Sequence, residues 1–116
     1  MAHRLSPAEE VLLRDYVARL LAAAPPGAIA AVRVFGSRAR GESGPDSDLD
    51  VAVELAPGVA ASRFGRIAVD AAWDAMEARD LIALRLSPVV LPAFGPDPTG
   101  IEATILREGL RLWPAQ

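Results

Sequence analysis

Apolar residues recur along this chain with two different periods, and the switches between them mark its elements. From residue 11 to 21 the apolar positions Val11, Leu12, Tyr16, Val17, Leu20 and Leu21 keep helical spacing. Ser6-Pro7-Ala8-Glu9 predicts the start of that helix: Ser as N-cap, Pro at the first helical position, Glu completing a capping box. Pro25-Pro26-Gly27 predicts its end. Ile29 to Phe35 is a run of small and branched residues that reads as a strand, and Gly36-Ser37 breaks it. Arg38 to Gly41 has room for about one helical turn, and Glu42 to Ser47 reads as a polar loop. Asp48 to Leu55 then alternates strictly, with Leu49, Val51, Val53 and Leu55 facing one way and Asp48, Asp50, Ala52 and Glu54 the other.

Beyond a Pro57-Gly58 turn, helical spacing returns from about Ala60 or Ser62 to Arg79. Phe64, Ile67, Ala71, Ala75 and Ala78 form its stripe, flanked by Val69, Trp73 and Met76, all read as packing. Leu81 to Leu91 predicts a third strand, bent or at a sheet edge because Pro88 has no N–H for a ladder. After a loop rich in Pro and Gly, Ile101 to Glu108 predicts a short helix capped by Gly109, and Leu110 to Trp113 a brief last strand. This order predicts an α+β fold, a small sheet with helices packed against it.

The length, 116 residues, predicts one domain spanning 1–116, with no repeat and no linker. Apolar residues make up 52% of the chain, yet no window reaches the ~18–20 uninterrupted apolar residues that a spanning helix needs. The first residues lack the apolar core of a signal peptide. Cysteine is absent, which removes disulfides, thiolate metal sites and a cysteine nucleophile, and a cytoplasmic location is the expectation. Net charge is −3 with the two signs interleaved, so stable nucleic-acid binding is not expected. The single histidine, His3, reads as a solvated terminus.

Candidate chemistry concentrates between residues 36 and 50. A glycine lets backbone approach a ligand closely, and exposed N–H groups at a following helical turn favour phosphate oxygens. Ser37 can donate its hydroxyl, and Arg38 or Arg40 can add charge-assisted bonds; equally, Gly-Ser after a strand is an ordinary turn. Asp48 and Asp50, two apart on a strand, have Cα atoms about 6.5–7 Å apart on one face. Carboxylate oxygens so placed suit Mg²⁺, which binds through one or two carboxylates plus substrate phosphates. A calcium loop starting at Asp46 fails, because Val51 and Pro57 stand where Gly and Glu are required. A Walker loop fails because no Gly-Lys-Ser/Thr follows Gly36, and the chain has no lysine.

Gly36-Ser37, ten residues, then Asp48-Leu49-Asp50 resembles the signature of the polymerase-beta-like nucleotidyltransferase superfamily. Residues 35–41 and 47–51, with the closing stretch 105–110, are most similar to the minimal nucleotidyltransferases that pair with HEPN-domain proteins in toxin–antitoxin modules. The resemblance implies a small mixed β-sheet of nucleotidyltransferase type. It implies that Gly36 and Ser37 hold the phosphates of a nucleoside triphosphate, with Arg38 and Arg40 as further contacts. Asp48 and Asp50 would be the catalytic pair, holding Mg²⁺, with two ions when nucleotide is bound. The implied reaction moves AMP from ATP to an acceptor hydroxyl on a HEPN-type toxin, with this chain as antitoxin. Such enzymes usually place a third carboxylate on a later strand, where this chain reads Leu86-Ser87-Pro88-Val89. Asp80 precedes that strand, and Glu54 lies about 13 Å along the strand from Asp50. The alternative is therefore a catalytically weak module that binds a nucleotide or neutralises its partner by complex formation.

Overall fold

The computed structural model describes residues 5–36 and 48–114. Helix α1 (Pro7–Ala23) begins as its sequence dictates. The Ser6 hydroxyl accepts from the Glu9 N–H at 3.1 Å, and the Ser6 N–H donates to Glu9 Oε1 at 2.7 Å. That reciprocal pair satisfies two N–H groups the helix leaves open, and it lets the Glu9 carboxylate be buried. Ala24 is extended, as a residue before proline prefers, and the helix stops there.

Among the described residues four strands follow: β1 (Ile29–Phe35), β2 (Leu49–Leu55), β3 (Leu86–Leu91) and β4 (Leu110–Trp113). They form one sheet in the order β3-β2-β1-β4. β1 is antiparallel to both β2 and β4, while β3 is parallel to β2, so the sheet is mixed. A parallel neighbour needs a crossover, and helix α2 (Gly65–Ala78) supplies it. β3 is an edge strand, which is where Pro88 is tolerated.

The main core lies between α1, α2 and one face of the sheet. Leu49, Val51, Val53 and Leu55 of β2 are fully buried there with Leu12, Tyr16 and Leu20 of α1. Each such side chain contributes about 1.5–3 kcal/mol through burial. The Tyr16 hydroxyl donates to the Ala68 carbonyl at 3.3 Å and ties α1 to α2. Asp15 joins the same helices from outside, with Arg19 at 3.2 Å and Arg79 at 3.3 Å.

The other face of the sheet is covered as well. Ala31, Ala52 and Ile105 are buried apart from the main core, Ile105 being on helix α3 (Gly100–Glu108). Arg33 Nη1 donates to Glu54 Oε1 at 2.7 Å, and the Phe94 N–H donates to Glu54 Oε2 at 3.2 Å. The Arg33 guanidinium lies 5.5 Å from the Phe94 ring centre, in cation–π range. Gly109 follows α3 with an ordinary φ of −75°. Its glycine is required by space, since a Cβ there would run into the Ile105 carbonyl and stand 3.1 Å from the Val34 carbonyl oxygen.

Two elements differ from their sequence reading. Phe64, just before α2, and Ala71, Ala75 and Met76 on it are buried as expected, but Ala68 and Ala72 join them and Ala78 is exposed. Alanines let the helix approach closely, and the larger Val69 and Trp73 are left outside, Trp73 being 49% exposed. The third strand starts at Leu86, because Ile82–Leu84 form a 3-10 turn and Arg85 takes a left-handed φ of 54°.

Candidate active site

The end of β1 and the start of β2 lie side by side, with Phe35 in register with Asp50. The chain turns out of β1 at Gly36, whose φ is 80°. A Cβ at that position would stand 2.6 Å from Asp50 Oδ2. Only glycine meets both demands, so its bare backbone forms the wall against which the Asp50 carboxylate lies. Burial, and then the negative charge of Asp48, push the Asp50 pKa above the ordinary aspartate range.

Asp48 itself is half exposed, with Oδ1 3.8 Å from Arg85 Nη1. An exposed ion pair of that length contributes at most about 1 kcal/mol and is readily displaced. Between the two acids, Leu49 is fully buried, and its N–H donates to the Arg85 carbonyl at 3.1 Å. Parallel pairing then sets Leu49 against Leu86 and Asp50 against Ser87. The strand next to the acid pair thus presents a hydroxyl in the stretch where the resemblance implies a further carboxylate.

Gly36, Asp48 and Asp50 are therefore brought to one end of the sheet. Ser37, Arg38 and Arg40, together with the expected turn at 38–41 and loop at 42–47, lie outside the described residues. Glu54 is engaged by Arg33 and the Phe94 N–H. Asp80 closes α2: its φ is 54°, its N–H donates to the Glu77 carbonyl at 3.2 Å, and the Leu81 N–H reaches the Met76 carbonyl at 2.8 Å. This is a Schellman helix end, a structural role. Among the described residues no three His, Asp or Glu side chains converge as a metal site. Arg85 is the neighbour that sequence reasoning missed, and Ser87 lies in the stretch 86–89 where the resemblance put a third carboxylate; the parallel β2–β3 register that sets both is not local in the chain.

The family model of the nucleotidyltransferase domain matches residues 13–96, from within α1 to the loop after β3. The chain belongs to that family. No curated protein matches this nucleotidyltransferase domain. Two solved structures resemble it. One is the MntA–HpeT toxin–antitoxin in a mutant form with two aspartates changed to glutamate: it is 19% identical, covers 86% of this chain and 72% of its own, and has a TM-score of 0.54. The other is a toxin–antitoxin crystallised with AMP-PNP: 21% identical, covering 87% of this chain and 73% of its own, also with a TM-score of 0.54. At that identity they establish the fold, and it is the mixed nucleotidyltransferase-like sheet read from the sequence.

Two grooves are also present on the nucleotidyltransferase domain. One, of about 460 Å³, runs between α1 and β4 along Leu13, Val17, Leu110 and Trp113, and the other lies by Pro26, Gly58 and Phe64. Neither is lined by Asp48 or Asp50. No helix among the described residues is long and apolar enough to cross a membrane.

Proposed function

We propose that the chain is a Mg²⁺-dependent nucleotidyltransferase that moves AMP from ATP to an acceptor hydroxyl on a partner protein. The observation that carries this reading is the Asp50 carboxylate laid against Gly36 with the Asp48 charge beside it. Such a pair fits a hard cation: its donors are carboxylate oxygens, and their mutual repulsion is relieved by positive charge. Asp48 and Asp50 would hold the metal. Bound there, Mg²⁺ supplies charge neutralisation to the phosphoryl oxygens. Gly36 gives the nucleotide access to the carboxylates, and Ser37, Arg38 and Arg40 follow it in sequence as hydrogen-bond donors to the phosphate oxygens.

The partner is read as a HEPN-type toxin, with this chain as antitoxin acting within a single domain of residues 1–116. Support comes from family membership and from the two similar structures, both toxin–antitoxin proteins, one holding AMP-PNP. The two exchanged aspartates of the MntA–HpeT mutant have the one-residue gap of Asp48 and Asp50. A second reading, a module that neutralises its partner by binding alone, is favoured by Ser87 standing opposite Asp50.

Incubation with labelled ATP, Mg²⁺ and a HEPN-type protein separates the two. Transfer by the wild type and none by the double variant Asp48→Asn, Asp50→Asn supports the enzyme. Equal transfer by both sinks it, and neutralisation without transfer selects the binding module.

A further inference from the structure

We propose that Ser87 is an acceptor hydroxyl built into the site, so that the chain adenylylates itself. The inference rests on the reading of Asp48 and Asp50 as the pair that binds metal and nucleotide. Ser87 is the in-register neighbour of Asp50 on parallel β3. Adjacent strands run about 4.8 Å apart and paired residues share a face, so the hydroxyl stands one strand from the carboxylate. Ser87 is partly exposed, and its hydroxyl hydrogen-bonds to none of the described residues. The other described hydroxyls are placed differently. Ser6 is held in its capping box, Tyr16 is buried against Ala68, and Thr104 donates to the Gly100 carbonyl. Ser62 and Thr99 sit on other elements, in a 3-10 turn and before α3.

A carboxylate at position 87 would draw the proton from an incoming hydroxyl. A serine there offers its own. Its Oγ forms a bond to the α-phosphorus of ATP, and the bond from that phosphorus to the oxygen bridging to the β-phosphate breaks. Pyrophosphate leaves with the electron pair, and the serine proton passes to water. The product is a phosphodiester, with no change of oxidation state. Its negative charge then lies next to Asp50, which disfavours binding of a second nucleotide and limits the reaction to one event per chain.

The test uses the full purified chain with ATP and Mg²⁺ and no other protein, followed by intact mass and peptide mapping. The expected result is a gain of one adenylyl group, on the peptide containing Ser87. Ser87→Ala, shown to be folded by its circular dichroism melt, should gain none, while Ser87→Thr should retain labelling. Calorimetric titration with ATP and Mg²⁺ should show that Ser87→Ala still binds. Binding by the wild type without modification overturns the proposal, as does label mapped to another residue or equal labelling of Ser87→Ala. Failure of the wild type to bind ATP with Mg²⁺ overturns the reading of the site itself, and self-transfer with it.

Discussion

Burial and the Asp48 charge both disfavour ionised Asp50, so the fold carries a disfavoured charge at neutral pH. A carboxylate with a raised folded pKa contributes stability that is complete below its unfolded pKa and is lost as pH rises through the folded one. Asp50→Asn should therefore raise the melting temperature at pH 7, and the gain should vanish as pH falls below the aspartate range. Thermal melts across that range check it; equal gain at every pH would show that charge is not the cause. Gly36→Ala works the other way. It forces a side chain into a left-handed backbone, costing about 1–2 kcal/mol, and drives its Cβ against Asp50 Oδ2. Denaturant unfolding should show at least that loss, and ATP titration should show weakened binding.

At the level of elements, helix ends and strand edges carry much of the specification. Asp80 ends α2 in a conformation that suits glycine better. Asp80→Gly should stabilise the fold by about 0.5–1 kcal/mol in urea unfolding, and leave nucleotide binding unchanged if Asp80 is the helix end described. The capping box at Ser6 and Glu9, the alternation of β2 and the edge position of β3 were all legible in the sequence, because each depends on neighbours a few residues away. The face of α2 was legible in part: Phe64, Ala71 and Ala75 are buried as read, while Ala68 and Ala72 join them and Ala78 is exposed, since alanines on several sides leave the helical period weakly defined. Gly109 reads as a cap but is demanded by crowding from Ile105 and Val34. The acid pair was legible from its spacing and from its resemblance to a known signature. Its surroundings were legible only in part: the resemblance pointed to the stretch 86–89, but Arg85 beside Asp48 and the pairing of Ser87 with Asp50 follow from strands over thirty residues apart in the chain.

Across the whole molecule, one buried hydroxyl reports on global integrity. Tyr16 is the chain's single tyrosine, and burial holds its pKa well above the ordinary tyrosine range. The unfolded chain would ionise it near pH 10, so its contribution to stability is complete below that pH and is lost as pH rises toward the folded value. Tyrosinate absorbance should stay absent past pH 10 and then appear in one step with loss of helical circular dichroism. Gradual absorbance growth while the helices persist would contradict the described burial. Leu49 gives the molecule a further property. It is a core residue flanked on either side by the two acids, so the gap between them is set from inside the protein. A change that repacks β2 therefore also moves the acids, so a substitution in that stretch of core is felt at both carboxylates.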